Sequence, residues 1–255
     1  MQRAVVVTAS SGTFPGLVEA LRELPVAVEE YPLMTFVPPA DWGPLDRALD
    51  DLSRFDAIAL TSPRAARAFA ARLAGRAGAA PNRSGTAVWA GGGATAAALS
   101  PSLPTVRMPA QHSAGELGAA AALAGEMLAA GVRGPVLFPC GELRRDELPV
   151  RLRHEGVEVE EVVCYRSVLA GEAEARAAAG RASVLVVASP SVVDLLARAC
   201  PPGERPTLLA VGPTTAAASR AVGWPAAAVA ASPTTGDLLA GVRSLLATPG
   251  PHGAA

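Results

Sequence analysis

Lysine is absent from the sequence, and all 22 basic side chains among its 255 residues are arginines. The chain therefore has no side-chain amine for a Schiff base and no lysine for a P-loop. Cysteine and histidine are scarce, with three of each, and neither shows the paired spacing of a metal site. An odd number of cysteines without such spacing is typical of a reducing compartment. We therefore expect a cytoplasmic protein without a bound metal.

Long apolar runs and blocks of like charge are also missing. No apolar stretch reaches the length of a membrane span, and the opening run Ala4–Val7 is too short for a signal peptide. The net charge is −1, which provides no basic surface for nucleic acid or for a membrane. Hydrophobic residues make up 50% of the chain, so it can bury a core of one large or two ordinary domains. We expect a globular α/β protein with neither a nucleic-acid nor a membrane partner.

What the sequence does contain is a recurring strand–turn–helix pattern. Short β-branched runs end at serine, glycine or proline, and alanine-rich segments that favour a helix follow. Ser62-Pro63 and Ser189-Pro190 each have the form of an N-cap followed by proline at the first helical position. The predicted buried strands are 4–8, 57–60, 87–90, 184–187 and 208–211. Further strands are predicted over 26–33 and 136–139. Helices are predicted over 12–24, 45–52, 115–128, 143–154 and 238–246, and after the Ser62, Gly93 and Ser189 turns as far as residues 69, 99 and 200. A connector is expected around 35–39, and a long strand over 157–167 forms a second connector.

The pattern occurs twice, as simple subtraction of residue numbers indicates. Gly91 and Gly212 differ by 121, as do Gly115 and Gly236. The two Ser-Pro pairs differ by 127, and the leucine-rich segments that begin at 17 and 148 differ by 131. Strands that alternate with helices in two copies predict two similar α/β domains, each with a doubly wound, largely parallel sheet.

Hydroxyl side chains follow several of the predicted strands, where ligands bind in such sheets. Ser62 and Ser189 follow two strands, and Thr214-Thr215 lie in the first turn of a helix, beside unpaired backbone N–H groups. If the two domains face one another, these edges would line a cleft suited to anions. Strand-Gly-Pro-helix is also a common structural turn, so this feature alone does not separate binding from structure.

No familiar catalytic motif accompanies these turns. The sequence has no G-x-S-x-G elbow, and Gly91-Gly92-Gly93 lacks the spacing of a dinucleotide fingerprint. Tyr165 on the long strand is either a half-buried amphipathic contact or a reactive phenol. Arg166 is either solvated or paired with a carboxylate. The run from Gly141 to Arg145 opens a predicted helix with Glu142 near its N-terminus. This run either places the acid favourably against the helix dipole or presents Arg145, or its neighbour Arg144, to an anion.

Taken together and in order, the motifs resemble those of the uroporphyrinogen-III synthase family. They are T-S-P-R-A-A-R-A-F, G-E-L-R-R-D-E-L, G-V-E-V-E-E-V-V-C-Y-R, A-S-P-S-V-V, V-G-P-T-T-A-A-A and S-P-T-T-G-D-L. The resemblance implies two flavodoxin-like domains joined by a two-stranded connector. The first domain would comprise residues 1–34 with 169–255, and the second, inserted domain residues 35–168.

The resemblance also implies an activity and roles for particular residues. Members of the family are cyclising lyases of haem biosynthesis. They convert hydroxymethylbilane, a linear tetrapyrrole with eight carboxylates, into uroporphyrinogen III. Water is lost and ring D is inverted, without a cofactor or metal. Tyr165 matches the tyrosine that assists departure of the hydroxyl group or steadies the cation. Thr215 with Thr214, and the serines Ser62, Ser189 and Ser191, match positions that hold substrate carboxylates.

Two departures from the family pattern bear on the first half of the chain and on the Ser189 turn. Gly91-Gly92-Gly93-Ala94-Thr95 stands where the family usually has G-P-A-T-A, and Ala188 replaces a commoner threonine. We expect a monomer with a small-molecule substrate. The alternatives are a non-enzymatic regulator that binds tetrapyrroles or polycarboxylates on the same scaffold, and a two-lobed small-molecule binding protein. Some family members carry an appended helix-turn-helix domain; no basic recognition helix follows the second α/β domain here, so we do not expect DNA binding.

Overall fold

The structure is a computed structural model that describes residues 3–76, 86–101, 103, 105–109 and 119–247. The chain divides into two compact units. Unit 1 comprises Met1–Phe36 with Val168–Ala255, and unit 2 comprises Val37–Ser167. These ends lie within two residues of the domain limits proposed from the sequence, 1–34 with 169–255 and 35–168. That each unit folds as an independent domain stays a prediction.

Ten strands and ten α-helices are present in the described part of the chain. The strands are β1 (Ala4–Val7), β2 (Ala27–Glu30), β3 (Met34–Val37), β4 (Ala57–Leu60), β5 (Ala87–Ala90), β6 (Val136–Gly141), β7 (Val159–Leu169), β8 (Val184–Val187), β9 (Thr207–Ala210) and β10 (Ala228–Val229). The helices are α1 (Leu17–Arg22), α2 (Gly43–Asp50), α3 (Pro63–Ala74), α4 (Gly93–Leu99), α5 (Ala119–Ala129), α6 (Glu147–His154), α7 (Glu172–Arg181), α8 (Pro190–Ala199), α9 (Pro213–Ala221) and α10 (Thr235–Ala247).

Each unit is built around one five-stranded sheet. The strand orders are β10-β9-β8-β1-β2 and β3-β7-β6-β4-β5. The pairs β1–β2, β1–β8, β8–β9 and β9–β10 are parallel, as are β4–β5, β4–β6 and β6–β7. The order of the first sheet is the flavodoxin-like 2-1-3-4-5 pattern. The chain passes between the units within β3 and again within β7. The predicted fold class is therefore confirmed.

Both faces of each sheet are covered, so the central strands are apolar throughout. In unit 1, Val6 belongs to one buried cluster, while Val5 and Val7 belong to the cluster on the opposite face. In unit 2, Ile58 and Ala59 likewise contribute to two different clusters. Because successive side chains of a strand point to opposite faces, a strand covered on both faces reads as a continuous apolar run. This explains why the short apolar runs of the sequence identified the strands.

The two sheets share one strand arrangement. Equivalent residues of the two sheets are identified by strand order and by the face of the sheet on which each side chain is buried. Strands β4, β6 and β7 match β8, β1 and β2 at offsets of 127, 131 and 131, as predicted for the Ser-Pro and leucine segments. Thus Val136 corresponds to Val5 and Cys164 to Leu33, and all four side chains are buried. At the edge of the second sheet, an isolated parallel bridge from Trp89 to Arg107 takes the place of the β9–β10 pairing.

The offset of 121 predicted at the glycine turn is wrong by one residue. Strands β5 and β9 match at an offset of 120: Val88 and Leu208 then face equivalent clusters, and Gly92 and Gly212 are both helix N-caps. The three consecutive glycines by themselves fit at either offset, and the sheet register fixes the offset at 120. The partner turn is therefore Gly92–Thr95. The matching prediction for Gly115 lies outside the described residues.

Several predicted boundaries also change. Helix α1 begins at Leu17 instead of residue 12, because Gly12 and Gly16 have φ values of +74° and +77°, in the left-handed region that is incompatible with a helix. The predicted connector around 35–39 begins as strand β3. Helix α6 begins at Glu147, four residues after the predicted start, so Arg145 precedes the helix. Helix α7 has no counterpart among the predicted segments.

Candidate functional site

Ser62 follows β4 and caps helix α3 of unit 2. Its Oγ accepts hydrogen bonds from the backbone N–H groups of Arg64 (3.2 Å) and Ala65 (3.4 Å). Pro63 occupies the first helical position, where no N–H donor is needed. The predicted N-cap is therefore confirmed. Two of the free amides of the helix hold the hydroxyl of Ser62 in a fixed place at the carboxyl end of the strand.

Tyr165 meets Ser62 from another strand. The Tyr165 Oη atom lies 3.4 Å from Ser62 Oγ, and either hydroxyl can donate. In the β6–β7 ladder, Tyr165 pairs with Gly141 just after a register shift between Cys140 and Gly141. The backbone carbonyl of Tyr165 accepts a hydrogen bond from the Glu142 N–H group at 3.0 Å. The structure thus brings together two of the predicted residues, a phenol and a serine that are 103 positions apart in the chain.

Arg64 lies beside this pair, although it is not among the residues predicted from the sequence. Its guanidinium carbon is 5.7 Å from the centre of the Tyr165 ring. Partial burial lowers the pKa of Arg64, an effect that the proximity of Tyr165 partly opposes. The sequence signal that would have found it is its place two residues after the N-cap serine, where the first helical turn reaches the sheet edge. A half-buried guanidinium beside a phenol favours binding of a carboxylate there.

The two arginines predicted to bind an anion, Arg145 and Arg166, differ in their surroundings. Arg145 is exposed and makes no hydrogen bond or ion pair with any described residue. Its neighbour Arg144, in contrast, is paired with Glu161 and lies 3.7 Å from Asp146. Arg166 donates from Nε to the backbone carbonyl of Pro38 at 3.2 Å, and no carboxylate partner is found for it among the described residues. Of the neighbouring pair, Arg145 is the arginine whose guanidinium has no partner in the part of the chain that the structure describes.

Ser189 and Ser191 form the corresponding turn of unit 1. Ser189 is the N-cap of α8, but its side chain caps no backbone amide of the helix. Its Oγ instead lies 2.8 Å from Ser191 Oγ. Ser189 and Ser191 correspond to Ser62 and Arg64 at the offset of 127. Unit 1 therefore presents a pair of neighbouring hydroxyls where unit 2 presents one hydroxyl and one guanidinium.

Thr214 and Thr215 lie in the first turn of α9, as predicted. Gly212 is the N-cap and Pro213 the first helical residue. Thr214 is exposed, whereas Thr215 is 3% exposed. With the corrected offset, Thr215 corresponds to Thr95, which is also 3% exposed, and Thr214 corresponds to Ala94. The turn in unit 2 therefore keeps the inner threonine, lacks the outer one, and has Gly93 in place of the proline.

The cysteines are not suited to nucleophilic chemistry. Burial raises the pKa of the Cys140 and Cys164 thiols to about 12, and burial also raises that of Cys200. All three are free. Within the described ranges, no three histidine, cysteine or acidic side chains cluster so that they could hold a metal ion. In the same residues, no helix is both long and apolar enough to cross a membrane.

Comparison with known proteins gives a consistent family. The family model described as "Uroporphyrinogen-III synthase HemD" matches residues 16–240. A crystal structure of a mutant uroporphyrinogen III synthase from the extremely thermophilic bacterium Thermus thermophilus has a TM-score of 0.65 at 17% identity, covering 96% of this chain and 98% of that one. Uroporphyrinogen-III synthetase from Helicobacter pylori has a TM-score of 0.65 at 18% identity, covering 95% and 99%. At these identities the structures establish likeness of fold.

Proposed function

Because this chain belongs to the uroporphyrinogen-III synthase family, we propose that it closes hydroxymethylbilane into uroporphyrinogen III. The reaction removes the terminal hydroxyl group as water and inverts ring D, which makes the protein a cyclising lyase of haem biosynthesis. The substrate carries eight carboxylates and is intrinsically reactive. Closure without inversion competes in solution, so the main task of the enzyme is to position the chain and to guide departure of the hydroxyl.

The observation that carries this proposal is the placement of Tyr165 against Ser62. The phenol lies at the carboxyl edge of the unit 2 sheet, where ligands of parallel sheets bind. We assign Tyr165 the catalytic role: its Oη–H donates to the departing hydroxyl oxygen, or its oxygen steadies the cation that remains. Ser62 is held by two helix amides and lies 3.4 Å away, so it orients the phenol. Neither residue forms a covalent bond to the substrate.

The remaining candidates are proposed to hold carboxylates. Ser189, Ser191, Thr214 and Thr215 lie on the first turns of α8 and α9 or at their N-caps, where free N–H donors and the positive end of the helix dipole favour an anion. Ser62 adds a hydroxyl in unit 2, and Arg145 and Arg166 add guanidinium groups. The hydroxyl and backbone N–H donors are neutral, so each of their hydrogen bonds to a carboxylate is weaker than one from a charged group. The affinity then comes from the number of these bonds, which suits a polyanion that must be released as product.

No step of this mechanism calls for a cofactor or a metal. Tyr165 and the backbone and hydroxyl donors supply proton donation and electrostatic stabilisation, which together suffice for a substrate that ionises readily. We further propose that the protein works as a monomer in the cytoplasm and that its partner is the linear tetrapyrrole alone. The scarcity and burial of cysteine agree with a reducing compartment.

The test is to supply freshly prepared hydroxymethylbilane to the purified protein and to separate the type I and type III isomers of the product. We expect type III product at a rate proportional to the protein concentration. Type I product alone, formed at the rate without protein, would contradict the proposal. Tight binding of the product without turnover would instead support the non-enzymatic regulator.

A further inference from the structure

Gly141 lies directly against the ring of Tyr165. A Cβ atom built on Gly141 would lie 2.5 Å from Tyr165 Cζ, 2.7 Å from Oη and 2.8 Å from Cε2. Carbon atoms pack favourably at about 3.5–4.0 Å, so these distances leave no room for a methyl group. The ring thus occupies the space that a side chain at position 141 would fill.

The backbone at Gly141 does not itself require glycine. Five glycines of the described chain have φ in the left-handed region, and Gly141 is not one of them. The local backbone therefore does not exclude an alanine, and the three atoms nearest to a Cβ at this position all belong to the Tyr165 side chain. Gly141 is also buried, at the end of β6. A side chain added there cannot turn into solvent and would have to displace the ring.

The equivalent position in unit 1 carries a side chain. At the offset of 131, Gly141 corresponds to Ser10 and Tyr165 corresponds to Met34. Where no ring is present, the first position carries a side chain, and the Ser10 hydroxyl donates to the backbone carbonyl of Met34. The same place in the fold therefore accepts a Cβ and a hydroxyl group. Glycine is needed only in the unit that holds the tyrosine.

Other contacts fix the ring and its hydroxyl in this position. The register shift at Cys140/Gly141 sets the pairing of Gly141 with Tyr165, and the Glu142 N–H holds the tyrosine carbonyl. At the same hydroxyl end of the ring, Tyr165 Oη lies 3.4 Å from the Ser62 hydroxyl that caps helix α3. Moving the ring away from Gly141 changes the position of Oη, because ring and hydroxyl are one rigid group.

We propose that Gly141 is a positioning residue for the reaction. Because it has no side chain, it leaves a space, which we call the seat, that the Tyr165 ring fills and that fixes the position of the Tyr165 hydroxyl. Gly141 has no side chain that could take part in the reaction, and it acts through the position of Tyr165. The inference that the seat matters for turnover rests on the function proposed above, whereas the seat itself is a statement about the ring and has a separate measurement.

The position of the ring is measured by NMR on protein labelled with tyrosine carrying ¹³C at Cζ. The chain has two tyrosines, Tyr31 and Tyr165, so two resonances are expected, and Tyr165→Phe assigns them. We expect Gly141→Ala to shift the Tyr165 resonance and to leave that of Tyr31 in place. Gly180→Ala is the matched control, because a Cβ at Gly180 meets nothing within 4 Å, and it should shift neither. An unmoved Tyr165 resonance in Gly141→Ala overturns the seat.

Turnover is measured on the same variants. We expect Gly141→Ala to lower kcat about tenfold or more with little change in KM, since a misplacement of about 1 Å is costly. In Tyr165→Val, the added Gly141→Ala change should cost nothing further, because no ring is left to displace. If Gly141→Ala lowers kcat equally in the parent protein and in Tyr165→Val, the proposal is wrong. It is also wrong if Gly141→Ala shifts the Tyr165 resonance but leaves kcat unchanged, while Tyr165→Val lowers kcat.

A failure of the proposed function looks different. If Tyr165→Val retains full kcat while Gly141→Ala still shifts the Tyr165 resonance, the seat stands and the catalytic role of Tyr165 is wrong. Thermal unfolding separates both cases from loss of the fold: Gly141→Ala should lower Tm, and Tyr165→Val should abolish that difference. A drop in Tm of equal size in the Tyr165→Val background contradicts the seat.

Discussion

Tyr165 of unit 2 occupies the same place as Met34 of unit 1, and Ser62 occupies the same place as Ser189. Both serines follow a central strand and precede a proline-initiated helix, yet they make different bonds. Ser62 caps its helix and meets a phenol, whereas Ser189 leaves its helix uncapped and meets Ser191. One architecture thus carries two sets of side chains.

The difference shows how a duplicated scaffold divides its work. The sheet fixes where the strand ends, and therefore where side chains gather, but it does not determine which groups stand there. Among the matched edge positions described above, unit 2 holds the only phenol, and unit 1 holds the larger set of hydroxyls: Ser189, Ser191, Thr214 and Thr215. We infer that unit 2 supplies the chemical step, while unit 1 mainly holds carboxylates.

Arg205 should show the largest effect on stability, and it is confined to unit 1. Its guanidinium lies 5.1 Å from the Trp224 ring and donates to the backbone carbonyls of Ala197, Cys200, Val222 and Gly223. We expect Arg205→Ala to lower the free energy of unfolding by about 3 kcal/mol, because several carbonyls near the ends of two helices lose a charged donor.

Urea unfolding followed by circular dichroism measures this loss, and hydrogen exchange locates it. Arg198→Ala is the matched control, since Arg198 makes one exposed ion pair with Glu172, at 3.4 Å. We expect that control to stay within about 0.5 kcal/mol of the parent. Loss of protection in unit 2 instead of unit 1 would contradict this assignment.

The two matched serines should respond differently to alanine. We expect Ser62→Ala to lower the free energy of unfolding by about 1 kcal/mol, because helix α3 loses its cap. Ser189→Ala should cost only about a few tenths of a kcal/mol, since it removes a hydrogen bond between two half-buried hydroxyls and no cap bond. Urea unfolding of the two variants side by side decides this. Equal losses would mean that both hydroxyls cap their helices in solution.

The smallest expected effect is a loss of stability of unit 2 in acid. The Arg72 hydrogen bond holds the pKa of Asp46 below its usual 3.8. Burial would raise the pKa of Glu161, but hydrogen bonds from Arg144 and Arg153 outweigh it and hold that pKa below 4.5. A lowered pKa in the folded state gives stability that is present above the unfolded pKa and is lost as the pH falls through the folded one.

We therefore expect unit 2 to open first as the pH falls from about 5 to about 3. Pulse proteolysis with pepsin, with the cleavage sites assigned by mass spectrometry, detects this. Combining Asp46→Asn with Glu161→Gln should reduce the pH dependence without abolishing it, because Asp56, whose pKa is lowered by hydrogen bonds from the Gly134 and Arg133 backbone, still titrates. First cleavage in unit 1, or an unchanged slope in the double variant, would contradict it.

The sequence could predict elements whose signal is local. Strands β4, β5 and β8 agree with the prediction to the residue, because each is an apolar run covered on both faces and bounded by turn residues. Helix α7 escapes prediction because alanines form its buried side, so no stripe of large apolar residues marks it. The glycine turn was misaligned because three successive glycines carry no register information.

The candidate site was predictable only where its sequence signal is local. The hydroxyls after strands follow from strand and cap patterns, so Ser62, Ser189, Thr214 and Thr215 could be named from the sequence. The contact between Tyr165 and Ser62 depends on strand order, which joins β7 to β4 through β6. The need for glycine at 141 depends on a register shift that leaves no sequence signature. Both required the structure.

Steady-state kinetics of Tyr165→Phe on hydroxymethylbilane, with Thr215→Val beside it, test the division of work most directly. We expect Tyr165→Phe to lower kcat about tenfold while KM stays within about twofold, since the phenol acts on the departing hydroxyl. Thr215→Val should raise KM and leave kcat nearly unchanged, because it removes a grip on a carboxylate. Unchanged kcat in Tyr165→Phe, or a loss of kcat in Thr215→Val alone, would contradict the placement of the chemical step in unit 2.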